Sequence, residues 1–208
     1  VLGATWNGAR AFTPTSGPGI SLMSEFIGFA YYSELPAVLF NIQRTGPSTG
    51  MPTRTQQCDL LLCAYASHGD TKHPMLFPAN PEDCFHMTLA AFDLADELQT
   101  PVFLMSDLDV GMNDWMCKDL EWDNNYKPKR GKVLSADQLE KIEKFYRYYD
   151  FDGDGIPYRS LPGVHPKGSF FTRGSGHNKY GGYTEDGHEY QEVVDRLKVK
   201  WNTARKMM

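Results

Sequence analysis

Phe40-Asn-Ile-Gln-Arg-Thr-Gly-Pro-Ser-Thr-Gly-Met-Pro-Thr53 is the stretch on which the reading of this chain turns. The apolar run from Ala37 to Ile42 has the composition of a buried strand. It stops at Arg44, and only Gly, Pro, Ser, Thr and Met follow as far as Thr53. A strand that runs into such a loop carries its one fixed cation at its carboxyl end. In open parallel sheets the crevice beyond those ends is where ligands bind. Arg44 among the hydroxyls of Thr45, Ser48, Thr49 and Thr53 therefore predicts a pocket for a small anion, held by the planar fork of a guanidinium.

Upstream of that loop, Ala11 to Thr15 is a short extended segment that enters Ser16-Gly17-Pro18-Gly19. Ile20, Leu22, Met23, Phe26, Ile27 and Ala30 then recur at helical spacing. Strand, tight turn and helix follow one another, with Pro18 suited to the first helical turn and free N–H groups at the helix start. A carboxylate or phosphate can sit there, and a tight turn with no ligand accounts for the same residues equally well. The opening run Val1 to Arg10 has no initiator Met and no cap signal and reads as the second half of a helix, which suggests a piece of a longer polypeptide.

Downstream, Gln56 to Ala66 reads as a helix, Pro74 to Pro78 as a short strand and Pro81 to Leu98 as a long amphipathic helix. Pro81 in that helix's first turn and Glu82 and Asp83 beside it match the positive end of its dipole. Thr100-Pro101 breaks it, and Val102 to Met105 is another apolar strand. Helices alternating with strands that are apolar throughout specify an α/β fold with a parallel sheet covered on both faces. Past Asp109 the composition shifts: Trp115 to Gly131 is charged, aromatic and Asn-containing. Ser135 with Gln138 forms a capping box for a helix predicted to run to Tyr149. Asp150 to Tyr183 is a long glycine-rich excursion, of the kind that is functional or buries itself against another subunit. Thr184 to Met208 is a final helix, basic towards its end. The expected division is residues 1–112 as the α/β domain, 113–183 as a loop-rich extension and 184–208 as a helix leading to a further domain.

The totals exclude several classes. A net charge of −5 with both signs mixed along the 208 residues does not favour nucleic acid or an acidic membrane surface. No apolar run approaches the roughly 18 residues of a membrane span, and no basic-then-apolar leader is present, so the chain reads as cytoplasmic. Cys58, Cys63, Cys84 and Cys117 have no C-x-x-C spacing and are expected to be buried reduced thiols, with no metal or cluster held by this chain alone.

Asp150-Phe-Asp152-Gly-Asp154-Gly155 begins like a calcium loop, but its twelfth position is Leu161 where a bidentate carboxylate is required. Gly153-Asp154-Gly155 with Asn178 resembles the metal and diphosphate motif of thiamine-diphosphate enzymes. Here a polar aromatic run precedes the triplet and three prolines interrupt the interval, so the match is set aside. Of six histidines none pairs at metal-ligand spacing, and His177, in a Gly-rich loop, is the best functional candidate among them.

At Gly8-Ala-Arg-Ala-Phe-Thr-Pro-Thr-Ser-Gly-Pro-Gly19, Ser21-Leu-Met-Ser-Glu25 and Gln43-Arg-Thr-Gly-Pro-Ser-Thr-Gly-Met-Pro-Thr53 the chain resembles the alpha subunit of 2-oxoacid:ferredoxin oxidoreductases. The likeness continues at Gln57-Cys-Asp-Leu60, His68-Gly69, Thr100-Pro-Val102, Asp154-Gly-Ile-Pro157, Pro162-Gly163 and Gly176-His177. The Pro-Ser-Thr-Gly-x-Pro-Thr form is similar to that of enzymes for 2-oxoglutarate, or for branched or general 2-oxoacids.

This resemblance implies a three-layer αβα thiamine-diphosphate-binding fold, here the half that holds the aminopyrimidine. It implies a beta subunit that shares the cofactor and carries the Mg2+ and a [4Fe-4S] cluster. The activity implied is oxidative decarboxylation of a 2-oxoacid to an acyl-CoA, with coenzyme A and either ferredoxin or flavodoxin as further partners. The cofactor supplies the chemistry and the protein orients it.

By the same resemblance Arg44 and Thr53 contact the substrate. Thr15, Ser16 and Gly17 line the cofactor side, and Gly46, Pro47, Ser48, Thr49 and Gly50 support the loop. The family's Tyr-Pro-Ile-Thr-Pro segment and its activating Glu would fall before Val1, so the chain as given is expected to be inactive alone. A non-catalytic scaffold of the same fold, docked on a catalytic partner, is the competing reading.

Overall fold

A computed structural model describes all residues from Val1 to Met208. A short first helix, α1 (Leu2–Trp6), leads into β1 (Phe12–Thr15), and β2 (Ala37–Gln43), β3 (Met75–Leu76) and β4 (Pro101–Asp107) complete one sheet of order β1-β2-β4-β3. Every pairing is parallel, with Thr15 beside Asn41 and Asn41 beside Met105. Pro101 opens β4 at the position where a missing N–H does least harm, and all seven residues of the strand are buried. The carboxyl ends of β1, β2 and β4 thus lie at one edge of the sheet.

Helices α2 (Gly17–Leu22), α3 (Ser24–Ser33) and α4 (Leu60–Ala64) belong to one face, where Ile20, Ile27, Ala37, Leu39, Cys63 and Phe103 form a core. On the opposite face α5 (Pro81–Leu98) and the C-terminal helix, α8 in chain order (Gly187–Met207), share a second core of Val38, Ala91, Ala95, Leu98, Val102, Ile156 and Ala204. The architecture is αβα in three layers. Each fully buried aliphatic chain in these cores contributes about 1.5–3 kcal/mol. Helix α5 has the limits its sequence signals set: the Asn80 side chain accepts from Asp83 N at 2.9 Å, Pro81 takes the first position, and Gln99 closes it in the left-handed conformation.

Three predicted helices are shorter than expected. The Ile20 to Ala30 helix is two, α2 and α3, interrupted at Met23. The Gln56 to Ala66 helix is reduced to α4, because residues 53–58 stay exposed as part of the loop beyond Arg44, and Leu61 faces solvent. Ser135 makes its capping box with Gln138, yet the helix stops as α7 (Ala136–Lys141), α6 being Leu108–Met112. The chain that should have continued it turns inward to bury Arg147 and Tyr148. Residues 111–125 are exposed throughout, including Met116 and Trp122.

Charge organises the second face. Glu34, left-handed at the end of α3 and 0% exposed, accepts from Arg196 Nη1 at 3.1 Å and from Lys200 Nζ at 2.9 Å, with a second bond from Arg196 Nη2. Arg147 Nη2 donates to the Glu34 carbonyl at 2.8 Å. Burial alone would raise the Glu34 carboxyl, but Arg196 and Lys200 outweigh it and hold it down at about 2. Burial brings the Lys200 ammonium down to about 8 against the attraction of Glu34. A second buried pair joins Arg159 to Asp96 at 2.9 Å, with Arg10 also on Asp96 at 3.0 Å and on Asp93. The Asp150 loop is closed from within: Asp150 accepts from the N–H groups of Asp152, Gly153 and Gly155, and Lys132 Nζ bridges Asp152 and Asp154 at 2.6 and 2.8 Å.

Candidate functional site at the carboxyl end of the sheet

Beyond β1 and β2 opens a cavity of about 420 Å³ lined by Gly17, Pro18, Ser21, Arg44, Gly46, Pro47, Ser48, Gln56, Cys58, Asp59 and Leu62. It joins two regions distant in the chain, the turn into α2 and the loop after β2. Arg44 follows directly on β2 and is half-buried. Its Nε is shielded from water with no hydrogen-bond partner, and no acid of the chain pairs with it. Arg147, Arg159 and Arg196 also have an unpartnered Nε, but each donates to an acceptor through an Nη, which Arg44 does not. An unpaired guanidinium, shielded at Nε and set in a concavity, is a site for an anion that the chain itself does not pair with it.

The loop that carries it is a small closed structure. Thr45 N and Oγ1 both donate to the Arg54 carbonyl, at 2.8 and 3.1 Å, and Met51 N returns a bond to the Thr45 carbonyl at 3.1 Å. Ser48 and Gly50 have positive φ of 57° and 46°, and a side chain at 50 would run into the Thr45 carbonyl. Gln57 Nε2 ties the far side of the loop to Asp107 at the end of β4, 2.8 Å away.

Of the residues singled out in the sequence, Arg44, Gly46, Pro47, Ser48 and Gly17 meet at the cavity wall. Thr49, Gly50 and Thr53 lie on the exposed outside of the loop. Thr15 and Ser16 sit behind Gly17, Thr15 Oγ1 being 3.4 Å from the Ser16 carbonyl and the Ser16 side chain capping nothing. His177, by contrast, is far from solvent: it stacks on Tyr148 at 4.0 Å between centroids, and burial lowers it to about 4, so it acts as a packing residue. The thiols divide, with Cys63 buried and pushed up to about 12 by that burial, while Cys58 and Cys117 are exposed where burial was expected.

Not foreseen from the sequence was the buried polar layer behind Asp59 in the cavity wall. The two-residue period of β2 puts Asn41 and Gln43 on the same face as Ala37 and Leu39, so that face turns polar beneath the pocket. Asn41 Nδ2 donates to Asp59 Oδ2 at 3.2 Å, and Asp59 N donates to Gln43 Oε1 at 3.2 Å. Two amides entering an otherwise apolar strand at alternate positions were the signal.

The family model described as pyruvate flavodoxin/ferredoxin oxidoreductase, thiamine diP-bdg, matches residues 1–133. The chain belongs to this family. It is similar to 2-oxoglutarate synthase subunit KorA of Methanocaldococcus jannaschii, 49% identical over 111 residues, or 53% of this chain and 30% of that subunit. It is also similar to 2-oxoacid:ferredoxin oxidoreductase 1, subunit alpha, of Sulfurisphaera tokodaii, 34% identical over 210 residues, which is 100% of this chain and 31% of that subunit. The chain therefore spans less than a third of the length of these curated relatives. Among solved structures it resembles a 2-oxoglutarate:ferredoxin oxidoreductase from Magnetococcus marinus with 2-oxoglutarate, coenzyme A and succinyl-CoA bound. The TM-score is 0.87 at 29% identity, over 100% of this chain and 35% of the other. No helix is long and apolar enough to cross a membrane.

Proposed function

We propose that this chain is the substrate-facing α/β portion of an enzyme that oxidatively decarboxylates a 2-oxoacid, 2-oxoglutarate being the best candidate, to its acyl-CoA with reduction of ferredoxin or flavodoxin. The observation that carries this reading is the unpaired, half-buried Arg44 at the carboxyl end of the sheet, in a cavity shared with the turn into α2. The KorA relatives and the solved 2-oxoglutarate oxidoreductase, by their names, point to the same reaction.

Arg44 receives the carboxylate of the 2-oxoacid. Its fork is always charged and stays planar, so it fixes the plane of the acid as a lysine could not. Ser48 offers a hydroxyl on the same wall. Thr53 is assigned to the same substrate end by the family resemblance, and the loop residues Gly46, Pro47, Thr49 and Gly50 hold Arg44 in place.

Thiamine diphosphate, shared with a beta subunit, fits the other wall: Gly17 presents no side chain there, and the Ser16 hydroxyl is not engaged as a cap. When bound, that cofactor supplies the electron sink that lets carbon dioxide leave a 2-oxoacid. Thr15, Ser16 and Gly17 would line it. Mg2+ and a [4Fe-4S] cluster are assigned to the beta subunit.

The test is anaerobic reduction of a viologen dye by the native complex with coenzyme A and, in turn, 2-oxoglutarate, pyruvate and 2-oxoisovalerate. The expected outcome is reduction with 2-oxoglutarate foremost, lowered about a hundredfold in kcat/KM by Arg44→Ala in a complex that still assembles. No reduction with any acid, in a preparation containing thiamine diphosphate and iron, would replace this reading with that of a scaffold.

A further inference from the structure

Asp59 occupies the first flanking position of α4, where an aspartate ordinarily caps its own helix, yet α4 has no side-chain cap. The carboxylate is 8% exposed and points across the site instead. Oδ2 takes its bond from Asn41 on β2, and Oδ1 lies 3.5 Å from the Cys58 thiol, whose sulfur is 3.2 Å from the carbonyl of Arg44. On its remaining side it meets the start of α2 so closely that a Cβ on Gly17 would fall 2.6 Å from Oδ1 and 2.8 Å from Oδ2. One carboxylate thus meets β2 at Asn41, the turn into α2 at Gly17 and, through the Cys58 thiol, the backbone of Arg44.

We propose that Asp59 is a positioning residue, the spacer that sets the distance between the Thr15-Ser16-Gly17 turn and Arg44. Its shape, wedged between Asn41 and Gly17, does this work. The charge has no cation to pair with, and Asp59 makes no ion pair with Arg44 or any other base. A spacer of this kind explains why position 17 is glycine in a helix start that would otherwise favour almost any residue: the volume a side chain would need is already filled. In terms of the proposed reaction, on which the kinetic part of the inference rests, Asp59 fixes where the acid held by Arg44 stands relative to the cofactor wall. Misplacement by about 1 Å at such a site costs up to roughly a hundredfold.

The experiment uses the native complex with Asp59→Ala, Asp59→Asn, Gly17→Ala and the Gly17→Ala/Asp59→Ala double variant. Asp59→Ala is expected to lower kcat with the 2-oxoacid about tenfold with KM changed far less, and Asp59→Asn, which keeps the shape, to stay within about twofold of the parent. Gly17→Ala is expected to lower kcat as well, and removing the carboxylate behind it should recover part of that loss, so the double variant is better than the product of the two singles. A merely structural role would lower the yield or melting temperature of assembled complex without this split and without rescue by asparagine. Equal damage from Asn and Ala, or strictly multiplicative losses in the double variant, would overturn the proposal.

Cys58 gives a readout independent of turnover, since its thiol is exposed and lies between Asp59 and the Arg44 carbonyl. Its alkylation by iodoacetamide, followed by peptide mass spectrometry, should accelerate in Asp59→Ala and remain at the parent rate in Asp59→Asn. A parent complex with no 2-oxoacid turnover would remove the proposed reaction and leave this thiol test standing. Unchanged alkylation in Asp59→Ala would remove the spacer. If Gly17→Ala does not assemble, the Asp59 pair decides alone.

Discussion

Arg44 and Arg196 are two partly or fully buried cations whose charges are met in opposite ways. Arg196 is 9% exposed, bidentate on the Glu34 carboxylate and bonded to the Gly155 carbonyl at 2.8 Å, so its charge is compensated within the chain although its Nε, like that of Arg44, has no partner. Arg44 is half-buried, its guanidinium makes neither an ion pair nor a hydrogen bond within the chain, and the open cavity it lines also holds hydroxyls, a thiol, an amide and the Asp59 carboxylate, none of them bonded to it. Desolvating a cation is costly unless an anion compensates it. The first arginine has been compensated by folding, and the second waits for a ligand. Within one molecule, then, a paired buried cation marks construction and an unpaired half-buried one marks use.

The contrast is broken most forcefully at Glu34. Glu34→Ala leaves Arg147, Arg196 and Lys200 buried with no carboxylate among them, and removal of one partner from such a cluster costs about 3–5 kcal/mol. Chemical denaturation should show that loss, with α8 the first element to lose hydrogen-exchange protection; a stability near the parent's would mean that the cluster is solvated. Arg44→Ala should do the reverse. The expected change is about a hundredfold in kcat/KM for the 2-oxoacid, as for truncation of one member of a buried charge pair formed with a ligand, and little change in the denaturation midpoint.

Acid sharpens the comparison, because the buried histidines His73 and His177 are structural and take no part in the cavity. His73 and His177 are both held near 4 by burial, below the ordinary 6.5. Between those values the unfolded chain binds protons that the folded chain does not, so stability falls as pH drops from about 6.5 towards 4, by up to about 1.4 kcal/mol per pH unit for each histidine. Below about 4.5 the Glu34 carboxyl, held near 2, adds to the loss in the same direction. Thermal melting across pH 4 to 8 checks this, and His177→Phe should shallow the slope. The smallest effect is expected at Asp195, whose exposed pair with Lys198 spans 2.8 Å: Asp195→Ala should leave the melting temperature unchanged.

Much of the first region was legible because its instructions are local. Asn80, Pro81, Glu82 and Asp83 start α5 and Thr100-Pro101 stops it, and the apolar run before Arg44 is a buried strand of the sheet. The loop from Arg44 was legible for the same reason: Gly, Pro and Ser supply the turns and one charge supplies the chemistry. What failed to show was anything decided at long range. Met23 interrupts a helix whose apolar spacing continues past it. The segment from Phe145 to Tyr149 has helical composition but is turned inward by Glu34, more than a hundred positions earlier in the chain. Asp59 looks like an ordinary cap, and only its neighbours in space make it part of the site.

Glu34 also has a history in time. During synthesis it emerges 162 residues before Arg196 and 166 before Lys200. At about 5–20 residues per second the ribosome needs roughly 8–33 seconds to supply those partners. Throughout that interval a carboxylate destined for complete burial has only water to neutralise it, so the corner of the sheet where α3 ends must stay hydrated and open until α8 arrives. A helix made late closes a corner made much earlier, and while it is awaited that corner offers apolar side chains such as Leu35 to any chaperone that follows nascent chains.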